Sequence, residues 1–442
     1  MAKKKYPIDV ITRPFVKLIQ EQKSGALVLG ISIIIALILA NSPFHELYHR
    51  FFEHEFGFHF DGESYLEYSL TEWINDGLMA IFFFVVGLEL KREIVAGELS
   101  NVRKAMLPIA AAVGGMLVPA AIYLGLNPVG EVHSGWGIPM ATDIALALGV
   151  IYLLGDRVPL VFKVFLTALA IVDDIGAVLV IAFFYTSEIS FMNLAVGFAF
   201  LSLMYIGNRI GVRSILYYAV IGIVGVWTAF LLSGIHATIA AVLAAFVIPA
   251  NVRIKENVYI ARIRKHLYRF KRIDPNDEIP TLTHDQLLIM ERIKLDTKKA
   301  MPPLQQLEHA MTPFVSFIIL PIFALANAGV TMFDVEFDKL FETNVAIGVG
   351  LGLLVGKLVG IVGFSWLTVK LKISSFPKGM NLKNLSGLAL LASIGFTMSL
   401  FITQLAFTHE EYKTQAKIGI FAASIIGGIL GYFILKKYAK NE

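Results

Sequence analysis

The chain contains no cysteine. That excludes disulfides, thiolate metal sites and a cysteine nucleophile, and it leaves the redox compartment open. Charge is scarce as well. Asp, Glu, Lys and Arg make up 16% of the 442 residues, against about 25% in an ordinary soluble domain. No His or Cys spacing suggests a transition-metal site, and no nucleophile–base pair suggests an intramembrane enzyme. The formal net charge is only +4; it gives no reason to expect a nucleic-acid partner and reports instead on orientation in a membrane. What is abundant is apolar: 56% of residues are hydrophobic and the mean hydropathy is +0.69. These values define an all-α polytopic membrane protein, one bundle of many helices rather than several soluble domains.

Twelve apolar segments can be marked, at 24–43, 71–91, 104–126, 135–155, 159–186, 189–207, 214–232, 234–249, 311–331, 343–368, 383–406 and 414–436. Residues 1–23 are basic, contain Pro7 and Pro14, and lack a convincing cleavage site, so the first apolar run reads as a retained helix. The loops test the count. One side collects Lys3-Lys4-Lys5, Lys91-Arg92, Arg103-Lys104, Arg157, Arg209, Arg213, the 250–303 loop, the lysines of 370–383 and Lys436-Lys437. The other side holds 54–67, Glu131, Glu188, the Ser233-Gly234 turn, 334–342 and His409-Glu410-Glu411. The positive-inside rule then puts both termini in the cytoplasm. The outer loop 44–70 contains an Asp61-Gly62 turn between alternating aromatics, which reads equally as a β-hairpin or an irregular loop. The inner loop 250–303 is long and basic, with Arg262, Arg264, Lys265, Arg269, Lys271 and Arg272 together. Such a cluster suits anionic lipid headgroups, and equally a solvated amphipathic helix or a disordered insert.

The chemistry concentrates in Ala168-Leu-Ala-Ile-Val-Asp-Asp-Ile-Gly-Ala-Val-Leu-Val-Ile-Ala182. Asp173 and Asp174 lie midway along an apolar run, 159–185, long enough to cross a bilayer. A carboxylate at the bilayer centre costs roughly 2.5–3.5 kcal/mol, and an intramembrane ionisable residue is by default part of an ion or proton path. Thr142 and Asp143 follow Pro139 in a segment that reads as a broken helix. Lys357 sits in another span, and Gly395 can break a third. The simplest arrangement pairs Lys357 with one aspartate and leaves another partly unpaired, to titrate jointly with its neighbour. Adjacent residues point about 100° apart on a helix, so Asp173 and Asp174 can serve different partners. Carboxylate, hydroxyl and freed carbonyl oxygens suit a small hard cation. A buried salt-bridge network that merely fixes helix register is the bland alternative, but it needs one carboxylate where three are present. Four glycines at Gly348, Gly352, Gly356 and Gly360 share a helix face and permit close approach by a neighbour.

The two interrupted segments are the fourth and the eleventh. Each lies in the middle of a trio, 3–5 or 10–12, and alternation gives the trios opposite orientation. Paired interruptions of that kind mark a midplane ion site in transporters with inverted repeats. Asp143 and Lys357 are suitable charges to compensate the opposed helix dipoles.

Ala141-Thr-Asp-Ile-Ala145, Leu169-Ala-Ile-Val-Asp-Asp-Ile-Gly176, Gly234-Ile-His-Ala-Thr238 and Gly395-Phe-Thr-Met-Ser399 resemble the NhaA family of bacterial sodium/proton antiporters. So do Trp73-Ile-Asn-Asp76, Gly87-Leu-Glu-Leu-Lys-Arg-Glu93 and Phe323-Ala-Leu-Ala-Asn-Ala-Gly329. The family is itself a type example of inverted repeats with broken helices, so the structural rule and the resemblance are not independent. The resemblance implies an electrogenic, pH-regulated inner-membrane exchanger that expels Na⁺ or Li⁺ and admits more protons, with no cofactor. It implies Asp174 as the main cation ligand, helped by Asp173 and Thr142, with Lys357 paired to Asp173 and Asp143 balancing the crossing dipoles. Glu89, Arg92, Glu93, Glu308 and His309 match a pH-sensing cluster, and the hairpin near Asp61-Gly62 matches a homodimer contact. His236 and Asp76 fall in family motifs, where a packing or capping role is the plainer reading. Leu358 stands after Lys357 where Pro is common, Thr312 replaces a histidine of some sensor clusters, and the 250–303 loop is unusually long. Two other classes compete: a sodium-coupled symporter for an organic solute, which would want a roomier polar cavity, and a membrane sensor whose partner surface is the basic loop.

Overall fold

A computed structural model describes residues 22–60, 63–186, 189–273, 281–331 and 343–439. The Lys3-Lys4-Lys5 cluster, the Asp61-Gly62 turn, Glu188 and the outer loop 334–342 lie outside the described residues.

Each of the twelve apolar segments is helical. Among the described residues, seven are long and apolar enough to cross a bilayer by themselves, and two bent pairs raise that to nine. The remaining three are Ile215–Leu231 and Ala237–Val247, which are shorter, and Met79–Ala96, which carries Glu89, Lys91, Arg92 and Glu93. The protein is an all-α polytopic membrane protein.

Helix α1 (Gln22–Ala40) turns by 113° into a short amphipathic helix, α2 (His45–Glu53). The turn is fixed by two long-range bonds: Asn41 Nδ2 donates to the Val330 carbonyl at 2.7 Å, and the Tyr48 hydroxyl to the Leu325 carbonyl at 2.5 Å. Strands β1 (Glu55–Phe60) and β2 (Glu63–Ser69) then pair antiparallel, with Glu55 opposite Ser69 and Phe60 opposite Glu63. Ser69 begins the next helix with a reciprocal capping box to Glu72. That helix widens by one π-type turn, Trp73–Leu78, before continuing as α3 (Met79–Ala96).

Helix α4 (Val102–Leu126) starts on Asn101, whose side chain accepts from the Arg103 N–H. The fourth span is a tight 3₁₀ stretch, Glu131–Met140, an extended break at 141–143, and helix α5 (Ile144–Leu153). Helices α6 (Leu160–Phe184), α7 (Phe191–Ile210), α8 (Ile215–Leu231) and α9 (Ala237–Val247) follow. Two further helices, α10 (Glu256–Ile273) and α11 (His284–Ala300), lie antiparallel in the 250–303 segment. The chain re-enters the bundle with α12 (Pro303–Asn327) and α13 (Val345–Lys370). The eleventh span is broken into α14 (Leu382–Ala392) and α15 (Phe396–Ala406), bent by 49°. Helix α16 (Glu410–Tyr438) ends the bundle with Glu410 and Glu411 in its first turn and Lys436 and Lys437 in its last, the arrangement its macrodipole favours.

Two cores form. The smaller gathers Leu201, Met204, Tyr218, Phe230 and Ala244 from α7, α8 and α9. The larger holds both broken spans, with α4, α6, α13 and α16 around them. The four-residue glycine row on α13 faces α4 along its length. A Cβ on Gly348 would meet Asn127 and Tyr123, one on Gly352 would meet Pro139 and Pro119, one on Gly356 Pro119, and one on Gly360 the Gly114 carbonyl. Dispersion packing at this closeness, rather than hydrophobic exclusion, holds helices together in lipid.

Candidate cation site

The two breaks cross at the centre of the larger core. The Asp143 N–H donates to the Ile394 carbonyl at 2.6 Å, joining one break to the other through backbone. At each break two half-helices meet, so each leaves orphan carbonyls on one side and orphan N–H groups on the other. Asp143 serves the N–H side of both. Its Oδ1 accepts from the Leu146 N–H at 3.0 Å, capping α5. Its Oδ2 accepts from the Thr397 N–H at 3.1 Å and the Thr397 hydroxyl at 2.6 Å, capping α15. One carboxylate thus sits at two positive helix ends.

The carbonyl side is served differently. The Thr142 hydroxyl donates to the Ala392 carbonyl, the last residue of α14, at 2.8 Å. It accepts in turn from Lys357 Nζ at 3.0 Å. The Ser399 hydroxyl donates to the Ile138 carbonyl at 2.9 Å. Lys357 follows a wide π-type turn, Gly352–Gly356, and reaches Asp173 Oδ2 at 2.5 Å with both side chains fully buried (0% and 1% exposed). Pro139 packs against Gly352, and Gly395 leaves room for the Ala141 carbonyl and Leu353, which a Cβ would strike.

Asp174 is the next residue on α6 and is equally buried. Its Oδ1 has no hydrogen-bond partner among the described residues, and neither has Oδ1 of Asp173. A buried ionised oxygen without a donor is costly. Asp143 is satisfied, Asp173 is held on one oxygen, and Asp174 presents an open oxygen beside it. What this can do chemically is accept a proton or a small hard cation.

A second charged group lies toward the basic end. Arg92 donates to Glu308 Oε1 at 2.5 Å and to Glu93 Oε1 at 3.0 Å, and Glu308 is buried. Glu89 is half-buried on the same helix, one turn away. His309 is exposed beside Glu308. Lys91 donates to the Phe246 carbonyl at 2.6 Å and to the Ile248 carbonyl, at the C-terminal end of α9. His236 Nε2 lies 2.7 Å from the Tyr185 carbonyl at the end of α6, a capping contact, and the Asp76 carbonyl accepts from the Trp227 indole at 3.2 Å. Near Tyr185 a cavity of about 870 Å³ is lined by Glu131, His133, Trp136, Phe184 and Phe407.

Thr397 and the Asn75–Asn327 pair escaped sequence reasoning. Thr397 gives Asp143 two of its bonds, and the only hint was a threonine two residues after the breaking glycine. Asn75 and Asn327 exchange side-chain hydrogen bonds at 3.4 and 2.9 Å, both buried. They come from the Trp73–Asp76 and Phe323–Gly329 motifs, 252 positions apart, and nothing in either motif names the other.

Crossed broken helices with intramembrane carboxylates at the crossing define an ion-coupled secondary transporter. The chain belongs to a family of that class, described as Na⁺/H⁺ antiporter 1, whose model matches residues 16–435. It is 48% identical over 430 residues to the Na⁺/H⁺ antiporter NhaA of Oleidesulfovibrio alaskensis, covering 97% of this chain and 95% of that protein. It is 45% identical to Na⁺/H⁺ antiporter NhaA 1 of Saccharophagus degradans, over 97% of this chain and 92% of that one. The Na⁺/H⁺ antiporter NhaA of Bacteroides fragilis is 44% identical, over 93% and 95%. These relatives are transporters rather than enzymes.

Proposed function

We propose that the protein expels Na⁺ or Li⁺ in exchange for a larger number of protons, at a site formed by Asp174, Asp173 and Thr142. The observation that carries this is the buried Oδ1 of Asp174, without a partner among the described residues, beside an aspartate held by Lys357. Protons and the metal ion compete for the same oxygens. Deprotonation toward the cytoplasm admits Na⁺, a tilt of one bundle against the other exposes the site outside, and protons displace the ion. Simultaneous occupancy would uncouple the exchange. At acid pH the carboxylates stay protonated and transport stops. Asp143 and Lys357 keep the crossing intact without being exchanged. The Glu89, Arg92, Glu93, Glu308 group is assigned to pH sensing, with His309 at its rim. Na⁺, Li⁺ and protons are substrates, and no cofactor is called for.

The loop charges support an inner-membrane orientation with both termini cytoplasmic, and the 55–69 hairpin is the assigned homodimer contact. The test is Na⁺-induced dissipation of a pH gradient in everted vesicles, wild type against Asp174→Asn, from pH 6 to 9. A response that rises with pH and vanishes in the variant supports the assignment. Retained exchange in a normally inserted Asp174→Asn protein refutes it.

A further inference from the structure

The exchange reading leaves the 250–303 segment without a task. Its two helices form an antiparallel hairpin whose base is tied to the spanning helices. The Leu304 N–H at the start of α12 donates to the Pro249 carbonyl after α9, at 3.2 Å, and the Arg253 N–H to the Lys299 carbonyl, also at 3.2 Å. The hairpin therefore leaves and re-enters at the level of the span ends, beside Lys91 and its α9 carbonyls. Within it, Asp296 of α11 takes Arg262 and His266 of α10, each at 3.2 Å. Tyr259, Ile263, His266 and Phe270 are the half-buried stripe of α10.

The rest of α10 is uncovered, and no side chain on it is fully buried. Ile260, Arg264, Leu267 and Lys271 fall on one exposed stripe at i, i+4, i+7 and i+11. Lys265, Tyr268 and Arg272 form the next, at i, i+3 and i+7. Leu267 is 56% exposed and Tyr268 63%. Large apolar groups left in water between cations, on a helix tethered at the membrane surface, are the composition of an interfacial helix.

We propose that α10 docks on anionic phospholipid headgroups, its cations pairing with them while Ile260, Leu267 and Tyr268 enter the acyl boundary. Charge complementarity selects this occupant. A second copy of the hairpin would bring like charges together, and neutral lipid would leave the cations unmatched. Each cation near an anionic surface multiplies binding by about fivefold.

The native chain lacks cysteine, so Leu267→Cys carries a single environment-sensitive fluorophore. The full-length protein is reconstituted in vesicles of phosphatidylcholine alone, or with a third phosphatidylglycerol. The expected result is a blue-shifted emission only in anionic vesicles. It reverts at roughly 0.5 M salt, where screening shortens to a few ångströms. It is also lost when Arg264, Lys265 and Lys271 are all changed to Glu, and retained when Arg264→Lys, Arg269→Lys and Arg272→Lys keep the charge. Equal emission in both vesicle types overturns the proposal, as does a shift that appears only on adding an acidic soluble protein. Na⁺/H⁺ exchange, measured on the same vesicles, is a separate readout, so failure of the exchange reading and failure of this one are distinguishable.

Discussion

Gly360 and Gly363 stand one turn apart on α13, and alanine should act on them with opposite signs. A Cβ on Gly360 would lie 2.0 Å from the Gly114 carbonyl oxygen, and one on Gly114 would lie 2.3 Å from the Gly360 carbonyl. The two helices meet there backbone to backbone. Carbon and carbonyl oxygen tolerate about 3.3 Å, so alanine at 360 forces α13 and α4 apart by about 1.3 Å. Overpacking of this kind costs about 1–3 kcal/mol. Lys357 lies within one turn of the wedge, and its contact to Asp173 is only 2.5 Å. A comparable displacement takes that contact beyond hydrogen-bond range unless the lysine stem re-extends. At Gly363 a Cβ would meet nothing within 4 Å, and the helix gains about 0.5–1 kcal/mol from losing a glycine. Thermal unfolding in detergent should therefore show Gly360→Ala melting well below the wild type and Gly363→Ala at or above it. Exchange in vesicles should fall in the first and persist in the second. Equal midpoints for the two variants would refute the backbone-contact account of the glycine row.

Asp143→Ala removes the cap of two helices and should cost about 1 kcal/mol for each, with Asp143→Asn retaining part of it; unfolding midpoints check this. Lys357→Met strips Asp173 of its buried partner, a loss of about 3–5 kcal/mol, and adding Asp173→Asn should restore most of the midpoint. Burial alone would raise the Asp296 carboxyl, but hydrogen bonds from His266 and Arg262, with the Arg262 charge, outweigh it and hold it below the usual carboxylate range. A carboxylate depressed in the folded state lends stability that is complete above its unfolded value and lost as pH falls through the folded one. Amide-exchange protection factors in 256–273 and 284–300 should therefore hold from neutral pH down to about 4 and fall below, and Asp296→Asn should remove that step.

The spans were legible because lipid demands long apolar helices, and the breaks because Pro139 and Gly395 interrupt such runs. Glycines at four-residue spacing announced a close approach, but not that α4 was the neighbour. Helix α2 was missed: His45-Glu-Leu-Tyr-His-Arg-Phe-Phe-Glu53 is polar and aromatic enough to pass as loop, and only the Tyr48 and Asn41 anchors fix its angle. The Arg92–Glu308 pair spans 216 positions, and no local pattern joins them. The resemblance placed residues in roles, but it did not show that one carboxylate caps both half-helices.

That division of labour among three buried carboxylates is what the geometry adds. All three lie at one crossing, so burial cannot separate them; partners do. Asp143 accepts three hydrogen bonds from groups fixed by the helix ends themselves, so protonating it would weaken the hold on both breaks. Asp173 is tied to Lys357, which is tied through Thr142 to the end of α14. Asp173 keeps its Oδ1 without a partner among the described residues, but a proton or cation arriving there meets the electrostatic opposition of the ammonium held on Oδ2. Asp174 offers an oxygen with no such attachment. A transporter needs one group that exchanges its ligand cheaply and a neighbour whose exchange moves the backbone. By attachment within the crossing, Asp143 is held most and Asp174 least, which is the ordering that the proposed exchange at Asp174 draws on.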